Sequence, residues 1–160
     1  MRRNDREITD IGLIGRILGE CKTCRLAMVD NGHPYVVPLS YAYIMNEETL
    51  TLLFHSAKEG RKIRVLNENS AVCFEISKEG DPVIATDSPC SAGYYFTSVH
   101  GFGNAEFVDD VNEKRRALSL LMKQQANIDV NFTPSQADGV CIIKVVSTEF
   151  TGKMKPHPAV

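Results

Sequence analysis

Apolar residues recur at two different periods along this chain, and the switches between them outline its elements. Thr9 and Asp10 precede Ile14, Ile17, Leu18 and Cys21, a stripe at helical spacing that predicts a first helix reaching about Glu20. Gly12, Gly15 and Gly19 weaken it by about 1 kcal/mol each, so it must lean on tertiary packing. The period then drops to two. Residues 24–30 read as a strand, Asn31-Gly32 as a two-residue hairpin turn, and residues 35–44 as the return strand. Pro38 inside that return strand donates no ladder hydrogen bond, which marks an edge or a bulge. After a turn at Asn46-Glu47-Glu48, Leu50, Leu52 and Phe54 alternate with Thr51, Leu53 and His55.

The pattern changes again at Ser56. Ser56 and Glu59 form an S-x-x-E pair, which predicts a capped helix with Ile63 and Leu66 on its buried side. Residues 70–77 read as a strand. Residues 78–93, with Gly80, Pro82, Pro89 and Gly93, read as irregular. A long strand covers 94–108, where Gly101 and Gly103 suggest a bend or a close backbone approach. Asp110 with Glu113 opens a helix to about Gln125, with Ala117, Leu118, Leu121 and Met122 as its stripe. Residues 140–146 form a buried strand, 149–153 stay extended, and Pro156 and Pro158 end the ordered chain. Many short strands with hairpin signals and few helices point to one mainly β (α+β) domain over residues 1–160, an antiparallel barrel with flanking helices. The strands do not alternate regularly with crossover helices, which argues against a doubly wound parallel sheet.

Charge narrows the chemistry. A net charge of -2 gives no general attraction to nucleic acid or an anionic membrane. No apolar run approaches the roughly 20 residues a membrane helix needs, and the polar N-terminus lacks a signal-peptide core. A cytoplasmic protein is expected. Its five cysteines should then be reduced. Cys21 and Cys24 form a C-x-x-C that closes a helix and enters a strand, the wrong end for a dipole-activated thiol. Cys73 and Cys141 lie in apolar runs and read as core. His33, His55, His100 and His157 lack ligand spacing, and no metal site is expected. No Walker loop, G-x-S-x-G elbow or dinucleotide fingerprint is present. Tyr41, Tyr43, Phe54 and Arg61 mix aromatics with charge, which could suit single-stranded nucleic acid, but the mild acidity argues against that.

One locus stands out. A strand end, a helix start and Lys58, Arg61, Lys62 and Arg64 fall within a few residues. Helix-terminal N–H groups and cations together attract an anion, and Arg and Lys both suit phosphate. A phosphorylated ring cofactor fits, with its phosphate on Ser56, Arg61 and Lys62 and its ring along the free backbone of residues 37–41.

At these residues the chain resembles the FMN-binding split-barrel superfamily, in particular its nitroimidazole-resistance branch related to pyridoxamine 5'-phosphate oxidase. The likeness lies in RRNDREI, PYVVPLSYAY, FHSAKEGRKI, YFTSVHGFGNAEF and the closing TGKMKPHP. The resemblance implies a split barrel and a homodimer holding two FMN molecules at the subunit interface. Val37, Pro38, Leu39, Ser40 and Tyr41 match the strand lining the flavin ring. Phe54, His55 and Ser56 match the strand end before the phosphate, and Arg61 and Lys62 the phosphate-binding pair. Ser98 matches a polar position reaching the flavin from the partner subunit, and His100 shares its face. Tyr41, His55 and His100 are candidates to touch substrate, with packing or cofactor lining as the other reading of each. No catalytic residue is assigned. The C-terminus lacks the oxidase's substrate signature, so vitamin oxidation is not the expected activity. The resemblance implies an FMN-dependent oxidoreductase that passes electrons from NAD(P)H or another donor to a flat acceptor such as a nitroheteroaromatic. The alternative is a flavin- or haem-binding carrier without turnover on the same barrel.

Overall fold

The computed structural model describes residues 3–84, 90 and 92–155. Pro89, Pro156, His157 and Pro158 therefore lie outside the described residues. The elements run, in order, a 3-10 turn (Asn4–Arg6), β1 (Glu7–Ile8), α1 (Ile11–Glu20), β2 (Thr23–Asp30), β3 (His33–Ser40), β4 (Ala42–Met45) and β5 (Leu50–Ser56). They continue with α2 (Arg61–Glu68), β6 (Ala71–Val83), β7 (Gly93–Val108), α3 (Val111–Ala126), α4 (Pro134–Asp138) and β8 (Cys141–Lys155).

All pairings are antiparallel. The strand order is β3-β2-β6-β7-β8-β5-β4, with β1 on the far half of β8. The two ends of that order, β3 and β4, are consecutive in the chain and separated by Tyr41 alone. One residue spans under ~4 Å, so the sheet must curl until its outer strands meet at that residue. They meet through the chain and not through a ladder, which leaves the barrel split.

Local chemistry explains the corners. Asn31 (φ 50°) and Gly32 (φ 80°) adopt the left-handed conformations that a type I′ hairpin turn requires. The Asp10 carboxylate accepts from Gly12 N and Leu13 N, and the Asp110 carboxylate from Asn112 N and Glu113 N, capping α1 and α3. Where β7 crosses β8 the register shifts between Phe102 and Asn104. A side chain at Gly101 would sit 2.4 Å from Phe74 Cζ and 2.7 Å from the Glu149 carbonyl, so the close approach expected there is real.

Two apolar clusters fill the interior. The larger lies between the concave sheet and α1, centred on Leu18, Leu26, Tyr41, Phe54, Phe74 and Val99. The smaller lies under α3 and α4, where Leu53 and Ile142 meet Ala117, Leu121 and Ala137. Gln124 and Gln125 of α3 tie the structure together. Gln124 Nε2 donates to the carbonyls of Leu18, Gly19 and Cys21, and Gln125 Nε2 to that of Tyr41. The end of α1 and the β3–β4 crossing are thus fixed to one helix.

Four local expectations change. The predicted return strand breaks at Tyr41 into β3 and β4. Part of the stretch expected to be irregular is strand: β6 continues to Val83 and β7 begins at Gly93, while residues 85–89 and 91 lie outside the described residues. Helix α4 was not expected, although Thr133-Pro134-Ser135-Gln136 forms a complete capping box with proline at the helix start. Helix α2 starts at Arg61, not after Ser56. Gly60 is its N-cap at φ 124°, ψ 173°, a conformation open to glycine and closed to a helix, while Ser56 is still paired with Cys141 in the sheet. The S-x-x-E pair is therefore unused.

Candidate functional site

Helix α2 gathers the cations, but sends adjacent ones to different partners. Arg61 Nε donates to Asp30 Oδ2 at 2.6 Å, and its guanidinium carbon lies 4.2 Å from the centroid of the Tyr35 ring. Arg64 Nη2 donates to both oxygens of the same carboxylate, at 2.9 and 3.0 Å. Asp30, at the buried end of β2, is thus the clamp that orients both arginines, and Arg61 chiefly, with Arg64, holds its carboxyl below the usual carboxylate range. Lys62 makes no contact with that carboxylate and lies within electrostatic reach of Cys141, the ladder partner of Ser56. Burial lowers its pKa, and it has no carboxylate partner among the described residues. A cleft of about 310 Å³ adjoins this side, lined by Lys58, Ile63, Asn67, Phe107, Lys114 and Cys141.

Both side chains spring from the bare start of α2. Gly60 supplies no side-chain cap, so the N–H groups of the first turn have no side-chain acceptor. A half-buried ammonium, a clamped guanidinium and uncapped amides thus follow one another in the first turn of one helix. That combination suits a doubly charged phosphate.

The strand expected to carry a ring is in place as an edge. β3 pairs only with β2, so its other edge has no ladder partner among the described residues. Val37 and Leu39 turn inward against the core, and Pro38 and Ser40 face out. Phe54 and Ser56 point into the interior from β5, whereas His55 is exposed on the opposite side. Tyr41 needs correction as a substrate contact. Its side chain is fully buried and its hydroxyl donates to the Leu18 carbonyl at 2.7 Å. Only its backbone can reach a ligand. Burial raises its pKa strongly.

Ser98 and His100 do share a face, flanking the buried Val99. Ladder register places His100 in an outward row running Pro38, Arg25, Glu75, His100 and Thr151. A second row runs Val36, Ala27, Cys73, Phe102 and Glu149. Cys73 is therefore not core: it faces out, and its Sγ lies 3.1 Å from His100 Nε2. Arg25 and Glu75 pair at 2.9 Å. Pro38 and His100 are three strands apart, about 14 Å at ordinary strand spacing. One chain does not bring both to the same ring atom. Cys141, also expected in the core, is only partly buried; Cys21 and Cys24 are buried, and burial pushes Cys24 up to about 12.

Sequence reasoning missed three participants: Asp30, which reads only as the last residue of a strand before the hairpin turn; Tyr35, an aromatic in a strand like several others; and Gly60. Only Gly60 left a usable signal, since an interior glycine ahead of a basic run argues for a later helix start.

Comparison with known proteins bears directly on this arrangement. The family model for pyridoxamine 5'-phosphate oxidase matches residues 13–154. The chain belongs to the pyridoxamine 5'-phosphate oxidase family. Within the resemblance seen in the sequence, the family's nitroimidazole-resistance side is represented by a Bacteroides thetaiotaomicron protein described as a candidate 5-nitroimidazole antibiotic resistance protein. It is 31% identical, with a TM-score of 0.79, over 92% of this chain and 86% of that one. The fold also matches the flavocytochrome Anf3 of Azotobacter vinelandii (20% identity, TM-score 0.81, 100% of this chain and 74% of that one). A Mycobacterium smegmatis protein that binds FAD and haem is similar in the same way (18%, 0.78, 96% and 77%). No curated protein sequence matches the chain. No described helix is long and apolar enough to cross a membrane.

Proposed function

We propose that this protein is a homodimeric, FMN-dependent oxidoreductase that reduces a flat acceptor, such as a nitroheteroaromatic, with electrons from a nicotinamide donor. The observation that carries the reading is the start of α2, where Arg61, Lys62 and uncapped N–H groups share one helical turn and Arg61 lies over Tyr35 of the edge strand β3. Family membership and the 31% identical candidate resistance protein support a flavin and this class of acceptor.

The residues present fit FMN. Arg61 and Lys62 would hold its phosphate, the first pre-oriented by Asp30 and Tyr35, the second half-buried. The backbone of Val37, Pro38, Leu39, Ser40 and Tyr41 would line the ring edge, and Ser56 and His55 would flank the tail. When bound, the flavin supplies two-electron transfer between the donor and the acceptor. The protein's part is to bind, orient and exclude water. Pro38 and His100 are three strands apart, so in this reading a second copy supplies His100 and its neighbour Ser98 to the ring. Val36 (54% exposed) and Phe102 (49% exposed) on the adjoining row give that copy an apolar surface to cover. His55 and His100 are the side chains on hand to touch an acceptor.

The test is direct. The purified protein should be yellow, denaturation should release FMN identifiable by mass spectrometry, and NADPH with a nitroimidazole should be consumed together. Bound cofactor without turnover, or a Soret band in place of flavin bands, would move the assignment to a carrier on the same barrel.

A further inference from the structure

The outer face holds one pairing that no part of the reading above uses. Cys73 on β6 and His100 on β7 are diagonal neighbours, with Sγ 3.1 Å from Nε2. The His100 ring also meets Phe102 edge-on, with centroids 5.0 Å apart and planes at 87°. The imidazole thus meets sulfur on one side and an aromatic ring on another.

A thiol and a neutral imidazole can share a hydrogen bond in two senses. Either S–H donates to a bare Nε2, or Nε2–H donates to sulfur. A thiol is weak both as donor and as acceptor, but the bare imidazole nitrogen is far more basic than the thiol sulfur, which favours the sense in which S–H donates to Nε2. Burial raises the Cys73 thiol's pKa, so it keeps its proton at neutral pH and is available to donate. Glu75, directly across the ladder from His100, is engaged by Arg25, and Thr151 flanks the other side. Among the described residues, no cluster of three or more His, Cys, Asp or Glu is placed to hold a metal that would displace this proton.

We propose that Cys73 is a positioning residue that locks neutral His100 with its proton on Nδ1, so that the outer face presents a hydrogen-bond donor to a nitro or carbonyl oxygen of the docked acceptor. The second half rests on the reading that His100 faces substrate; the first does not. A free histidine side chain favours the Nε2–H form, so the lock reverses the default. The ligand class follows from it: a flat ring bearing an oxygen acceptor is matched, and one bearing only donors is not.

The test is a long-range proton–nitrogen NMR spectrum of the full-length, uniformly nitrogen-15-labelled protein, recorded above the pH where imidazoles titrate. His100→Gln identifies the His100 signals. In the wild type the Nδ1–H form should dominate several-fold, and Cys73→Ser, which keeps a donor, should preserve it. Cys73→Val should shift the ratio several-fold toward Nε2–H, with Cys73→Ala serving if the valine variant does not fold. A dominant Nε2–H form in the wild type, or no shift in either apolar variant, overturns the lock. The spectrum needs no cofactor, so it stands even if the protein binds no flavin. If the lock is present but His100→Gln leaves KM and kcat for nitro acceptors unchanged, the substrate-facing half is overturned.

Discussion

The two faces of the same strands teach different things. On the inner face of β6 and β7, Phe74, Ile76 and Val99 are fully buried and packed against α1 and the opposite wall. On the outer face the residues between them, Cys73, Glu75, Ser98 and His100, meet water, each other and whatever docks there. Alternation at period two makes this division strict, because a side chain cannot change face without a register shift. Inner positions are answerable to packing alone. Outer positions carry histidine, cysteine, a glutamate paired with Arg25 and exposed Phe102, a mixture that packing does not demand.

The largest expected contrast is between neighbours on paired strands. Phe74→Ala should destabilise the fold by about 3–5 kcal/mol, the usual cost of emptying a buried aromatic site. Phe102→Ala should change stability by no more than about 0.5 kcal/mol as a monomer. Chemical denaturation of both variants reads the difference, and equal losses would mean that the outer face is not open. Next in size is Tyr41→Phe, which deletes a buried hydrogen bond to the Leu18 carbonyl and should cost about 1 kcal/mol. The loss is limited because Gln124 also donates to that carbonyl.

A smaller effect belongs to the clamp on α2. The Asp30 carboxyl is depressed in the folded state, by its hydrogen bond from Arg61 first and from Arg64 next. Its contribution to stability is therefore complete above the ordinary aspartate pKa and disappears as pH falls through the lower folded value. Asp30→Asn should flatten that part of the acid side of the stability–pH curve and leave the neutral-to-basic side parallel to wild type. Denaturant midpoints across acid pH check the sign.

Much of the fold was legible because its signals are local. The Asn31-Gly32 turn, the Asp10 and Asp110 caps and the alternation through Leu50, Leu52 and Phe54 each fix a piece of backbone within a few residues. The barrel closure was not, because it depends on β3 and β4 becoming opposite ends of one sheet, a fact of pairing among strands far apart in sequence. The S-x-x-E reading failed because a cap motif competes with the strand that contains its serine, and the β5–β8 ladder wins at Ser56. At the candidate site the cation cluster and the proline-marked edge strand could be read directly. Asp30, Tyr35 and the facing of Cys73 could not, since each gains its role from a neighbour on another element. The family likeness supplied Ser98, a position that composition and spacing leave silent.

The central claim is that Arg61 and Lys62 hold the phosphate of FMN. Fluorescence titration of the apo-protein with FMN and with riboflavin, which lacks the phosphate, tests it in wild type and in the Arg61→Ala, Lys62→Ala double variant. Charge-assisted hydrogen bonds contribute roughly 1.5–3 kcal/mol each, about tenfold or more in affinity per bond. Wild type should bind FMN far more tightly than riboflavin, and the double variant should lose most of that preference while its riboflavin affinity stays the same. A double variant that still prefers FMN as strongly as wild type would contradict the account.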